Sequence, residues 1–226
     1  MNLFKLIWIC CLPVLYISDI LQINGIAPVL KTETTEWVLN DLVLAKGGAI
    51  RLAGNPKIID DKYGKVVVFN GTTDGIFLDQ MPLAGLEQFT IEAIIRPDSG
   101  GKFEQRFFHC GEIRGSRVLF ETRSTPTDWY FDAFIKSGDQ QKTLIDSTLL
   151  HPLNQWYHLA FVVENGKQMT YINGIKELES KIEIVSLTGG KTSIGVRQNE
   201  QSWFKGAIYK IRISPTALSP VNFMNY

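Results

Sequence analysis

Between residues 106 and 132 the chain alternates charged and apolar side chains, and the charged set is of a kind that can hold or act on a polyhydroxylated ligand. Over 117–123 a period of two puts Arg117, Leu119, Glu121 and Arg123 on one face and Val118, Phe120 and Thr122 on the other. The next run repeats the scheme, with Trp129, Phe131, Ala133 and Ile135 turned one way and Tyr130, Asp132 and Phe134 the other. If the two runs are neighbouring strands, their polar faces lie side by side. Upstream, His109 shares a face with Phe107 on strict alternation, and Glu112 lies in the loop that follows. Guanidinium forks grip carboxylate or sulfate, carboxylates accept hydrogen bonds from hydroxyls, and aromatic faces stack on sugar rings. Arg117, Glu121, Arg123 and Asp132 are therefore candidate ligand-binding residues, and Arg197 and Trp203, after a later run, are candidates for a rim. The same face admits catalysis. Arg117 or Arg123 would neutralise a uronate carboxylate while His109 or Tyr130 removes the neighbouring proton, or two of Glu112, Glu121 and Asp132 would flank a glycosidic bond. A plainer account competes with both: Arg117, Glu121 and Arg123 pair across a solvated strand face, and Trp203 plugs one end of the fold.

Other chemistries find less support. Lys and Arg total 23, as do Asp and Glu, so no long-range field draws nucleic acid, and no nucleic-acid partner is expected. His109, His151 and His158 lack zinc spacing, and no phosphate loop, nucleophile elbow or dinucleotide fingerprint occurs. No cofactor is expected; Asp74, with the carbonyls near Asn70 and Gly71, is a weak candidate for calcium. Cys10 and Cys11 fall in an apolar leader, which leaves Cys110 without an internal disulfide partner. Beside Phe107 and Phe108 it reads as a small buried hydrophobe.

The elements that must position these side chains are short β-runs, ten of them between Lys65 and Ile213, bounded by Gly, Pro, Asn and Asp. That pattern predicts an all-β class, an antiparallel sandwich. Asn165-Gly166 and Asn173-Gly174 each suit a type I′ turn and predict a three-strand meander. In 89–96, Phe89, Ile91, Ala93 and Ile95 alternate with Thr90, Glu92 and Arg96, which predicts one buried face. The run 156–163 is apolar on both sides and should be covered on both, so His158 within it is expected to be structural. At the start, Lys5 precedes a twelve-residue apolar run, 6–17. This is shorter than the roughly 20 residues a membrane span needs. Residues 1–25 therefore read as a secretory signal, 26–64 as a preamble packed on the sandwich, and 65–226 as the sandwich itself, exported to the extracellular space or cell envelope with no transmembrane span.

Taken in order, several pieces carry a resemblance: Val68-Phe69-Asn70-Gly71-Thr72, Phe89-Thr90-Ile91-Glu92-Ala93 with Arg96-Pro97, Trp156-Tyr157-His158-Leu159-Ala160, Tyr171-Ile172-Asn173-Gly174, Ser193-Ile194-Gly195 and Phe204-Lys205-Gly206-Ala207-Ile208. The sequence resembles laminin-G-like members of the concanavalin A-like lectin/glucanase superfamily. That resemblance implies a jelly-roll β-sandwich with ligand sites on its concave sheet or on rim loops. Two departures bear on function. The Glu-x-Asp-x-x-Glu strand of family-16 glucanases is absent, and where many laminin-G-like domains read Gly-x-Ile-Asp this chain reads Gly206-Ala207-Ile208-Tyr209, with tyrosine in place of a calcium-binding carboxylate. The resulting expectation is a secreted or envelope-associated carbohydrate-binding module, for acidic polysaccharide. The alternatives are a lyase or hydrolase of an acidic glycan, and a protein-interaction module with envelope partners.

Overall fold

The computed structural model describes residues 33–42 and 50–225. The leader read as a signal lies outside them. Sixteen strands are formed among the described residues: β1 (Thr35–Val38), β2 (Ile50–Ala53), β3 (Lys57–Asp61), β4 (Gly64–Asn70), β5 (Gly75–Leu78), β6 (Phe89–Pro97), β7 (Glu104–Gly111), β8 (Arg117–Ser124), β9 (Asp128–Ser137), β10 (Gln140–Ile145), β11 (His151–Pro152), β12 (Tyr157–Glu164), β13 (Lys167–Ile172), β14 (Ile175–Lys181), β15 (Lys191–Ile194) and β16 (Lys205–Ser214). They pair antiparallel in two sheets. The first runs β14-β13-β12-β6-β16-β4-β3, with β1 beside the second half of β16. The second runs β10-β9-β8-β7-β15-β5-β2, with β11 beside the start of β9. Among the described residues no helix is long and apolar enough to cross a membrane.

The sheets close on an aromatic core. Phe120 of the second sheet lies 5.2 Å from Phe131 and 5.6 Å from Phe161 of the first, ring centroid to centroid, so it joins the two layers. Full burial of one such ring contributes about 1.5–3 kcal/mol, which lets packing carry the fold without a disulfide. Cys110 is fully buried in this core, its sulfur 3.4 Å from that of Met81. At the turns, Asn165 and Gly166 (φ 47° and 71°) and Asn173 and Gly174 (φ 51° and 78°) take the left-handed backbone of type I′ hairpins. These turns join β12, β13 and β14 into the meander.

β6 departs from the single buried face its alternation predicts. Thr90, Glu92 and Ile94 are as buried as Phe89 and Ile91. The cause is tertiary: the segment after β16 folds back over the outer face of the first sheet, where Ala217, Leu218 and Phe223 pack with Ala160, Val162, Met169 and Tyr171. Thr90 Oγ1 donates to the carbonyl of Thr216 and accepts from the amide of Leu218. Glu92 accepts from Arg212 Nε at 2.7 Å, His158 Nε2 at 3.0 Å and the amide of Met224 at 2.6 Å. His158 is thus a fully enclosed member of a structural network. Residues ahead of Lys65 also join the sheets, β1 and β3 the first and β2 the second. The β3–β4 turn is clasped by Tyr63, which stacks on Tyr209 at 4.9 Å, and by Asp61, which accepts from Trp156 Nε1.

Candidate functional site

On the face of the second sheet turned away from the core, β8 and β9 run in a register that sets Leu119 opposite Phe134, Glu121 opposite Asp132, and Arg123 opposite Tyr130. β7 adds Glu104 opposite Arg123 and Arg106 opposite Glu121. A bulge at Phe107 interrupts β7 between Arg106 and Phe108. The extra residue lets Phe107 and Phe108 both enter the core and turns His109 to the side of Arg106 and Leu119, not that of Phe107 as strict alternation implies. Arg106 is the member of this face that strict alternation misses. The bulge hides it, because a two-residue period through 106–109 places Arg106 and His109 on opposite sides.

The result is a groove of about 190 Å³ lined by Arg106, Arg117, Leu119, Glu121, Arg123, Asp132, Phe134, Thr143 and Arg197. Its floor is an ion network. Arg123 reaches Glu104 at 2.6 Å, Glu121 at 3.0 Å and Asp132 at 2.6 Å, and Arg106 reaches Glu104 at 2.5 Å and Glu121 at 2.6 Å. Burial pushes the Glu121 carboxyl up to about 7; Arg106 and Arg123 pull against that shift and Asp132 adds to it. Burial raises Asp132 as well. At Glu104, nearer solvent, the upward push of burial is outweighed by Arg106 and Arg123, which together hold its carboxyl below the usual range.

Arg117 and Arg197 differ from the other two arginines. Neither forms an ion pair among the described residues: Arg117 donates to the carbonyl of Gly115 at 2.7 Å and lies 4.9 Å over Phe134, and Arg197 donates to the carbonyl of Ile113 at 3.1 Å. The Nε of each is buried without a hydrogen-bond partner. Burial, then the neighbouring positive charges, lowers the pKa of both. Four guanidiniums thus meet three carboxylates, one of which is half-protonated near neutrality. Buried donors left unmatched in this way are uncommon, and a ligand anion would match them. Arg197 is held by a loop under strain, since Glu200 and Ser202 take φ of 58° and 56°, and strained backbone of this kind concentrates at binding sites. The same loop is tied down through Ser202, whose carbonyl accepts from the Arg106 amide at 2.7 Å, and through Gln198, whose side chain donates to the carbonyl of Gly111.

The remaining candidates fall around the groove, not in it. His109 is fully buried beneath the 197–202 loop: its Nδ1 accepts from the Gln198 amide at 3.3 Å and its Nε2 donates to the carbonyl of Glu112 at 3.1 Å. Burial, aided by the charges of Arg197, Arg117 and Arg106, lowers its pKa to about 4, so it is neutral and both ring nitrogens are engaged. A base so enclosed cannot reach a substrate proton. Glu112 is exposed on the loop beyond. Tyr130 sits next to Arg123 across the strand pair but is nearly buried and is not part of the lining. Trp203 lies outside the groove with its ring against Gly75, where a side chain on that glycine would come within 3.3 Å of Cζ3. Asp74 is buried and organises a turn, accepting from the amides of Asn55 at 2.8 Å and Asn70 at 3.1 Å. Among the described residues no three His, Cys, Asp or Glu side chains are grouped to hold a metal.

Two stacked antiparallel sheets with a polar groove on the outer face of one describe a lectin-like jelly roll. A laminin G family model of the concanavalin A-like lectin/glucanases superfamily matches residues 70–222, and the chain belongs to that superfamily. No curated protein sequence matches it significantly. Among solved structures it is similar to domain 4 of AbnA, a GH43 extracellular arabinanase from Geobacillus stearothermophilus, solved in complex with arabinotriose. Identity there is 25%, the TM-score is 0.60, and the match covers 82% of this chain and 93% of that domain. The botulinum neurotoxin serotype D binding domain aligns at 14% identity and a TM-score of 0.62 over 82% of this chain, which spans about half (49%) of that domain. A heptameric SAP-like pentraxin from Limulus polyphemus aligns at 19% identity and a TM-score of 0.55, covering 68% of this chain and 76% of that one. At these identities the toxin and pentraxin likenesses are likenesses of fold.

Proposed function

We propose that the protein is an exported glycan-binding module whose groove on the β7–β9 face takes one residue of an acidic polysaccharide. The observation that carries this reading is the pair Arg117 and Arg197, two part-buried guanidiniums in the groove wall with no carboxylate of their own. A uronate carboxylate or a sulfate would supply the missing acceptor, while the paired Glu121, Asp132 and Arg123 present acceptors and donors to ring hydroxyls. Leu119 and Phe134 give the apolar patch on which a sugar face can rest. At about 190 Å³ the groove is smaller than the roughly 300–1,000 Å³ of sites for drug-sized ligands, which favours a single sugar residue over a long segment. The arabinanase domain solved with arabinotriose supports the coarser part of the reading, carbohydrate binding on this fold. Export rests on the leader sequence alone.

The test is affinity electrophoresis of the purified protein through gels carrying polygalacturonate, alginate or chondroitin sulfate, with arabinan and xylan as neutral counterparts. Retardation by acidic gels that fades as salt rises is expected, since exposed charge–charge attraction is screened within about 10 Å at 0.1 M salt. Retardation by neutral gels alone would keep the module and discard its acidic ligand. Migration unchanged in every gel would discard both.

A further inference from the structure

We propose that Phe103 forms a second subsite, a stacking platform for the sugar ring next along the chain from the one held in the groove. The inference rests on the glycan-binding reading above and extends it outward along the ligand. Phe103 lies in the loop that enters β7, is 57% exposed, and is the only exposed aromatic side chain among the described residues. A single exposed phenylalanine is ordinary on a protein surface. Two features set this one apart.

The first is that its backbone is pinned. The carbonyl of Lys102 accepts from Gln105 Nε2 at 2.8 Å, and the carbonyl of Phe103 accepts from the Ser124 amide at 2.8 Å. Gly101 packs so closely on the Gln105 amide that a side chain there would come within 2.5 Å of it. The ring is therefore presented from an ordered loop, and a ligand that stacks on it orders little that is not ordered already. The second feature is its neighbour. The Arg123 guanidinium lies 5.8 Å from the ring centroid while its nitrogens hold Glu104, Glu121 and Asp132. Arg123 is at once a wall of the groove and the residue beside the ring, so groove and platform are one side chain apart. A glycan residue seated against Arg123 sends its neighbour toward an apolar ring whose remaining surface is open to solvent. The occupant implied is a sugar ring with an apolar face, the kind of surface that stacks on phenylalanine.

The test is calorimetric titration of the full chain with oligogalacturonates and arabino-oligosaccharides of one to four residues. For the wild type, affinity should rise between monomer and trimer. Phe103→Ala should weaken trimer and tetramer binding by roughly fivefold to tenfold, the size of one aromatic contact, and leave the monomer within about twofold. Phe103→Leu keeps the apolar bulk without the flat ring and should behave like Phe103→Ala, with circular dichroism unchanged in both. Equal loss at every length, no loss at any length, or full retention by Phe103→Leu would overturn the subsite and leave the groove standing. A wild type that binds no oligomer would overturn the groove, and the subsite with it.

Discussion

Both sheets carry a buried carboxylate clamped by arginine on their outer faces, and the two sites differ in whether the protein completes them. On the first sheet, Glu92 is fully buried and each oxygen is matched by Arg212, His158 and the Met224 amide, with the C-terminal segment laid across the whole. On the second, Glu121 is 3% exposed but its contacts with Arg106 and Arg123 leave Arg106 Nε and Glu121 Oε2 short of hydrogen-bond geometry, and Arg117 and Arg197 beside it pair with no acid among the described residues. None of the described segments folds over this groove as the C-terminal one folds over Glu92. A charged cluster that the chain itself satisfies and covers is part of the structure. One of similar composition left unfinished beside solvent is a place for something else. Counting ion pairs on the two carboxylates among the described residues, two on Glu92 and two on Glu121, would rank them alike.

That contrast can be broken in three ways, taken from the largest effect to the smallest. Glu92→Ala strands Arg212 and His158 in a covered site and should cost about 3–5 kcal/mol in urea denaturation, the range for removing one partner of a buried pair. Glu121→Gln, in the open site, should change stability by less than about 1 kcal/mol, the size of an ordinary hydrogen bond; an equal loss in both would erase the distinction. Next, Arg117→Ala and Arg197→Ala should each weaken binding of an acidic glycan by roughly ten- to a hundredfold, as expected for a lost charged hydrogen bond. Their melting temperatures should hold or rise, because each removes a desolvated charge from among like charges. A drop in melting temperature without loss of binding would make these arginines structural. Finally, the folded protein holds a proton on Glu121 between the ordinary glutamate value of 4.5 and about 7, where the unfolded chain has released it. Stability from this group is therefore greatest at low pH and falls as pH rises through that window. Binding of an anion at Arg117 and Arg197 should weaken over the same range as Glu121 ionises, by a few-fold, and Glu121→Gln should flatten the profile. A slope that survives in Glu121→Gln would place the proton elsewhere, with Asp132, raised in the same direction, the first to test.

The open site is partly legible in the residues; of the covered one only His158 is, from a run that is apolar on both sides. Strands β8 and β9 keep an unbroken period of two, so residue types and spacing alone assign Arg117, Glu121, Arg123 and Asp132 to one face, and Asn-Gly pairs mark the meander. Alternation misplaces His109 relative to Arg106 because one inserted residue at Phe107 reverses it, and nothing in Arg106-Phe107-Phe108-His109 says which apolar residue is extra. Glu92 reads as the exposed side of an amphipathic strand because what covers it lies over a hundred residues away, at Arg212 and Met224. Trp203 is ambiguous in type alone; the structure sets its ring against Gly75, outside the groove lining.

The bulge at Phe107 gives the groove a dependence on parity. Because every residue of β7 ahead of it is offset by one from the alternation behind it, regular pairing of the strand at its present length would exchange sides for all that precede Phe108. Glu104 and Arg106 would turn inward on the side of Phe108 and Phe120, and Gln105 and Phe107 outward. The bulge thus keeps two of the groove's charges out of the hydrophobic layer, and loss of Phe107 itself would straighten the strand while leaving both on the groove face.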